Sequence, residues 1–176
     1  MAGKGLEELI YDAAKAAFVE LFDRNEHFYY CSLTTTGEAH PPVVSAWSKE
    51  ALQRISDDDP EPEEAYFDLK WSYADSPYYE FGKQHFAAVN AAFQERPKMS
   101  EAMSNTEWQT EYDFRLNAME RAMKRLSDEG FFGEGERREK VAVLVEVMPP
   151  DETNTARAKR LNPPSAIAEW LEEAAE

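Results

Sequence analysis

The stretch Val141-Ala142-Val143-Leu144-Val145-Glu146-Val147-Met148 is apolar at every position except Glu146. Valine at alternate positions is what a strand covered on both faces uses, because β-branched side chains pack well on a pleat and neither face has to meet water. Upstream, Gly130-Phe131-Phe132-Gly133-Glu134-Gly135 stops a helix and turns the chain. Downstream, Pro149-Pro150-Asp151 ends the strand. The reading predicts a buried central strand between two helical segments.

Working outward, Trp108, Tyr112, Leu116, Met119, Met123 and Leu126 recur at helical spacing, so a long helix is expected from a Thr106 cap to about Asp128. Beyond the strand, helices are expected to open near Asp151 and near Ser165. Leu6, Leu9, Ile10, Ala13, Ala14, Ala17, Phe18, Leu21 and Phe22 form the apolar stripe of an opening amphipathic helix. Phe28 to Thr34 and Val43 to Trp47 read as a hairpin around Thr35-Thr36-Gly37-Glu38, with Pro41 and Pro42 holding the second strand near an edge. Ser48 is placed to cap a short helix through Ala51, Leu52 and Ile55. Ala65 to Trp71 alternates, with Phe67, Leu69 and Trp71 on one side, which predicts a half-buried third strand. Ser76-Pro77 then predicts a helix whose inner stripe is Tyr78, Phe81, His85, Phe86, Val89 and Phe93, closed by Pro97.

Together these elements predict one α+β domain over residues 1–176. It is expected to hold a mainly antiparallel sheet of about four strands packed against several α-helices, with an exposed acidic linker at 57–64 and a polar connector at 98–105.

The 19 Lys and Arg face 35 Asp and Glu, a formal charge of -16 that repels nucleic-acid phosphates and anionic lipid headgroups. Neither nucleic acid nor a membrane is an expected partner. Cys31 is the only cysteine, which excludes an intrachain disulfide and any thiolate metal cage built from this chain alone. No apolar run approaches the about 20 residues that cross a bilayer, and Met1-Ala2-Gly3-Lys4-Gly5 leads straight into a mixed-charge helical pattern. A cytoplasmic location is the expectation.

The chain resembles the bacterial domain-of-unknown-function family 4303. The likeness lies in the opening helix Leu6 to Phe22, the strand Phe28-Tyr29-Tyr30, and the segment Asp68-Leu69-Lys70-Trp71-Ser72. Its most specific parts are Gly130-Phe131-Phe132-Gly133 with the Val-rich strand, and Arg157-Ala158-Lys159-Arg160-Leu161-Asn162-Pro163. The resemblance implies a small bacterial α+β protein and supplies no catalytic residues.

Reaction machinery is not legible. His27, His40 and His85 stand on different elements with no i, i+3 or i+4 pairing, so no metal site or cofactor is expected. Cys31 falls among strand aromatics, where a thiol is inert. The glycines at 130, 133 and 135 follow a helix and precede a strand, the reverse of the order that aims backbone amides at a phosphate. Arg157, Lys159 and Arg160 read as charge complementing a helix C-terminus. Catalytic residues are accordingly not assigned, and the chain is not expected to be an enzyme.

Two features rise above this background: the acid run Asp57, Asp58, Asp59, Glu61, Glu63 and Glu64, and the aromatics Trp71, Tyr73, Tyr78 and Tyr79 after it. Carboxylates steer a cationic partner and aromatics anchor it. The expectation is a protein-binding protein, most concretely an immunity protein covering the basic active site of a bacterial toxin, with Trp71, Tyr73 and Tyr79 as anchors. The alternatives are a small-ligand protein or enzyme whose pocket gathers Lys70, Tyr73, His85 and Arg115, and an oligomeric structural module.

Overall fold

The computed structural model describes residues 4–175. β1 (Phe28–Thr36) and β2 (Val43–Ser48) form the expected hairpin, antiparallel, with Ser32 opposite Ser45 and Leu33 opposite Val44. β3 (Ala142–Met148) lies on the other side of β1 and runs parallel to it, Cys31 beside Val143 and Thr35 beside Val147. The protein is α+β, but its sheet is mixed and three-stranded, in the order β2-β1-β3. This corrects the expected four-stranded, mainly antiparallel sheet, and it moves the valine-rich strand from the centre to an edge.

The missing strand is the segment 65–71, which is helical to Leu69 and a turn at Lys70 and Trp71 instead. α2 (Lys49–Asp57), capped by Ser48 as expected, is followed by α3 (Pro62–Leu69). Pro62 sits in the first helical turn, where its absent N–H would have had no partner, and Glu63 and Glu64 meet the positive end of the helix dipole. Alternation over seven residues could not outweigh these start signals. The exposed acidic linker shrinks with this change: Asp57 closes α2, Glu63 and Glu64 open α3, and only Asp58 to Glu61 connect them.

β3 reads as a central strand because both its faces are buried, and side chains take the place of a fourth strand at its open edge. α6 (Glu152–Leu161), capped by Asp151, runs beside it. Asn162 accepts from the Val143 N–H at 2.9 Å and donates to the Val143 carbonyl at 2.6 Å. Asn154 does the same at Val147, accepting at 2.7 Å and donating at 2.9 Å. Between them Arg157 donates to the Val145 carbonyl at 3.0 Å. An amide side chain has one donor face and one acceptor face, so it reproduces what a neighbouring peptide would offer and closes an edge that would otherwise invite pairing. Arg157 is therefore a core residue, not helix-terminal surface charge; Arg160 alone of that trio makes a surface ion pair, with Glu120 at 2.7 Å.

One sheet face, with Tyr30, Ser32, Ser45 and Trp47, is crossed by the 71–76 segment. The Trp47 indole N–H donates to the Ser72 carbonyl at 2.6 Å, and Ser45 donates to the Tyr73 carbonyl at 2.7 Å. Elsewhere α1 (Leu6–Phe22) packs along α5 (Asn105–Asp128), which also contacts β3. The cap of α5 is Ser104 rather than Thr106, in a reciprocal box with Glu107. The Ser76-Pro77 helix starts later than expected: Glu80 and Gly82 take positive φ, a 3-10 turn follows at Lys83–Phe86, and α4 (Ala87–Gln94) comes only then. Gly82 is required there because a Cβ would lie 2.5 Å from that of Ala17. α7 (Pro164–Glu173) ends the described chain, burying Ile167 and Trp170. Among the described residues no helix is long and apolar enough to cross a membrane.

Candidate functional site

The α2–α3 hairpin meets the core through Ala51, Leu52 and Ser56 of α2 and leaves its outer face exposed. α3 packs against α2, yet none of its side chains is buried. Phe67 is 66% exposed, although burying a phenylalanine is worth about 1.5–3 kcal/mol. Around it Asp57, Asp58, Asp59, Glu61, Glu63, Glu64 and Asp68 are all exposed. The single base between Glu50 and Leu69, Arg54, is drawn to Glu26 at 3.8 Å. Crowding registers in the titration of Glu64: a hydrogen bond shared with the Glu61 carboxyl, then the charges of Asp68 and Asp59, raise its pKa above the ordinary carboxylate value. A shallow hollow of about 220 Å³ separates Gln53 on α2 from Tyr66 and Phe67 on α3.

The sequence-predicted acids thus share one exposed protrusion, while the aromatics beside them divide. Trp71 is half-buried and held in the fold, its indole N–H donating to Glu173 at 2.7 Å and its ring 5.4 Å from that of Tyr29. Tyr73 and Tyr79 form an edge-to-face pair at 5.8 Å, with Tyr79 41% exposed. Phe67, assigned to the buried side of a strand, is the aromatic most open to a partner. The signal for it was present: read at 3.6 residues per turn from Pro62, Tyr66 and Leu69 share a face and Phe67 falls outside it.

The residues of the alternative pocket do not converge. Lys70 is held by Glu169 at 2.6 Å and Glu173 at 2.9 Å, and His85 by Glu20 at 2.8 Å. Arg115 is buried, donating to Glu111 at 2.7 Å and to the Pro97 carbonyl at 2.7 Å, while Tyr73 packs on Tyr79. The histidines likewise have separate carboxylates, His27 with Glu50 at 2.5 Å and His40 with Glu38 at 3.1 Å. The His27 hydrogen bond holds Glu50 down at about 2. Cys31 is wholly buried, which pushes its thiol pKa well above the ordinary value.

One further acid stands apart. Glu146, on β3, is buried and accepts from the Tyr30 hydroxyl at 2.5 Å and the Ser32 hydroxyl at 2.8 Å. Burial raises its pKa, against the smaller opposing effect of those two donors.

A family model described as "Domain of unknown function (DUF4303)" matches residues 10–163. No curated protein and no solved structure matches the chain.

Proposed function

The chain belongs to the DUF4303 family, and from that footing we propose that it is a protein-binding protein whose acidic α2–α3 protrusion docks on a basic partner, most concretely as the immunity protein of a bacterial toxin. The observation that carries this reading is Phe67, an aromatic 66% exposed on a helical hairpin that carries seven exposed carboxylates, two of which, Asp57 and Glu63, line the same hollow. Exposed carboxylates in one patch speed encounter with a cationic surface and imitate the phosphates that a nuclease-like cleft accommodates. An exposed aromatic beside such a patch supplies the desolvated contact that charge alone does not, worth about 1–2 kcal/mol for the area still open on Phe67. The partner's lysines and arginines also relieve the repulsion that raises Glu64.

The test is protection. The chain is co-expressed with the product of the adjacent gene in a growth assay, and the association rate of the purified pair is followed as salt is raised. Growth is restored by the native chain and lost with Glu61→Lys, Glu63→Lys and Glu64→Lys combined; association slows steeply with salt. An adjacent gene encoding no toxic protein, or protection indifferent to the charge reversal, overturns the proposal.

A further inference from the structure

Where β1 begins, β2 ends and β3 begins, the molecule has a hollow of about 490 Å³ of the opposite character. Phe22, Phe28, Phe131 and Phe132 form its aromatic wall, with ring centroids 5.4 Å apart for Phe22 and Phe28 and 5.6 Å for Phe22 and Phe131. Lys49, Arg137 and Lys140 line it too. In a chain with 35 acids and 19 Lys and Arg, a base finds a carboxylate easily, and most do. Among the described residues these three make no ion pair and no side-chain hydrogen bond. The one carboxylate on the wall, Glu26, already accepts from the Tyr78 hydroxyl at 2.7 Å and from Ser48. Three cations therefore stand against one carboxylate on the lining, and that carboxylate also has Arg54 at 3.8 Å.

Apart from Lys49, which opens α2, the segments that meet here lie outside the acidic protrusion. Phe28-Tyr29 comes from β1, and the Gly130-Phe131-Phe132-Gly133 turn brings two phenylalanines against Phe22. Gly133 has φ +98, and a Cβ on it would lie 2.8 Å from that of Arg137, so its lack of a side chain lets Arg137 follow the turn closely. A second hollow of about 380 Å³ shares Tyr29, Lys49 and Lys140 and is lined also by Lys70, Glu139 and Glu169.

We propose that the 490 Å³ hollow binds a small aromatic phosphomonoester, its ring on the phenylalanine wall and its phosphate between Lys49, Arg137 and Lys140. A phosphomonoester carries about -1.5 to -2 charges at neutral pH and three strong acceptor oxygens, which suits a lining of three cations better than the single charge of a carboxylate. The volume lies within the range of small-molecule sites. The site is separate from the tip of α2–α3, and neither proposal depends on the other.

The experiment is an amide NMR titration of the full chain with phenyl phosphate, inorganic phosphate and benzyl alcohol in parallel. Phenyl phosphate is expected to shift Phe28, Tyr29, Gly133 and Val141 saturably, and each fragment alone to bind at least about tenfold more weakly. Arg137→Ala with Lys140→Ala, both exposed and free of bonds the fold uses, weakens binding about tenfold or more; Lys98→Ala with Lys159→Ala does not. Absence of saturable shifts, equal binding of inorganic phosphate, or equal weakening by the control pair overturns the assignment.

Discussion

Replacing Asn162 by Ala removes a side chain that serves the sheet as part of a strand. It accepts from the Val143 N–H and from Arg138, both at 2.9 Å, and donates to the carbonyls of Val143 at 2.6 Å and Ala158 at 2.9 Å. Arg138 keeps the Leu161 and Val141 carbonyls and Ser127, so its loss is small. Val143 does not share that redundancy: it is fully buried, and both its peptide groups on the open edge lose their partner. At about 1–3 kcal/mol for each orphaned group, the sum is about 2–6 kcal/mol. Asn162 itself is 9% exposed, so water reaches the gap in part, and about 2–4 kcal/mol is expected. Against a typical total of about 5–15 kcal/mol this is a large share. Urea unfolding of Asn162→Ala measures it, the midpoint falling while the slope stays unchanged. Asn117→Ala, on the exposed face of α5, is the reference and stays within about 0.5 kcal/mol. Asn162→Asp adds a discriminating arm: its carboxylate faces two carbonyls at neutral pH and recovers a donor only in acid, so its deficit shrinks as pH falls. A loss under about 0.5 kcal/mol in Asn162→Ala, with the Val143 amide still slow to exchange, would refute the strand-mimic reasoning.

Glu146 gives a pH-dependent outcome. Its folded pKa is raised from the ordinary 4.5 by burial, so the native state binds the extra proton and stability declines as pH climbs from that value through the raised one. Glu146→Gln, which keeps the shape and an acceptor for Tyr30 and Ser32, flattens that decline; unfolding midpoints taken across mildly acidic to neutral pH check it, and parallel curves for the two proteins contradict it. Gly133→Ala places a side chain at φ +98 against Arg137 and is expected to cost about 1–3 kcal/mol by thermal unfolding. Phe67→Ala leaves stability within about 0.5 kcal/mol, because so little of the ring is buried, while it weakens binding to the basic partner by speeding dissociation; a clear drop in melting temperature would show that the ring serves the fold.

The sheet shows how far local pattern reaches. Burial of 142–147 on both faces followed from composition alone, since such a run has no polar face to turn outward. Its position did not follow. Two-sided burial has two solutions, a strand neighbour or a helix whose side chains supply the same donors and acceptors, and the second was written in Asn154, Arg157 and Asn162 at positions that looked like ordinary helix surface and a helix end. Segment 65–71 failed for a different reason: seven alternating residues fit either period, and the capping logic of Pro62, Glu63 and Glu64 had to be weighed above them. Of the candidate sites, the acid run was legible because charge is counted residue by residue. Phe67 was misassigned with its helix, and the phenylalanine hollow was invisible because its wall is drawn from positions 22, 28, 131 and 132.

The residues on their own determined the α+β class, the opening helix, the hairpin, the long helix from about 105 to 128 and the strong negative charge, because each depends on neighbours within a few turns or on a sum over composition. Only tertiary structure decided that β3 runs parallel to β1 at an edge, that an arginine and two asparagines stand in for a strand, and that three cations without an ion pair among the described residues line one hollow with four phenylalanines. Those are relations between segments far apart along the chain, fixed by which buried polar groups find partners and which surfaces close over others, and no local spacing encodes them.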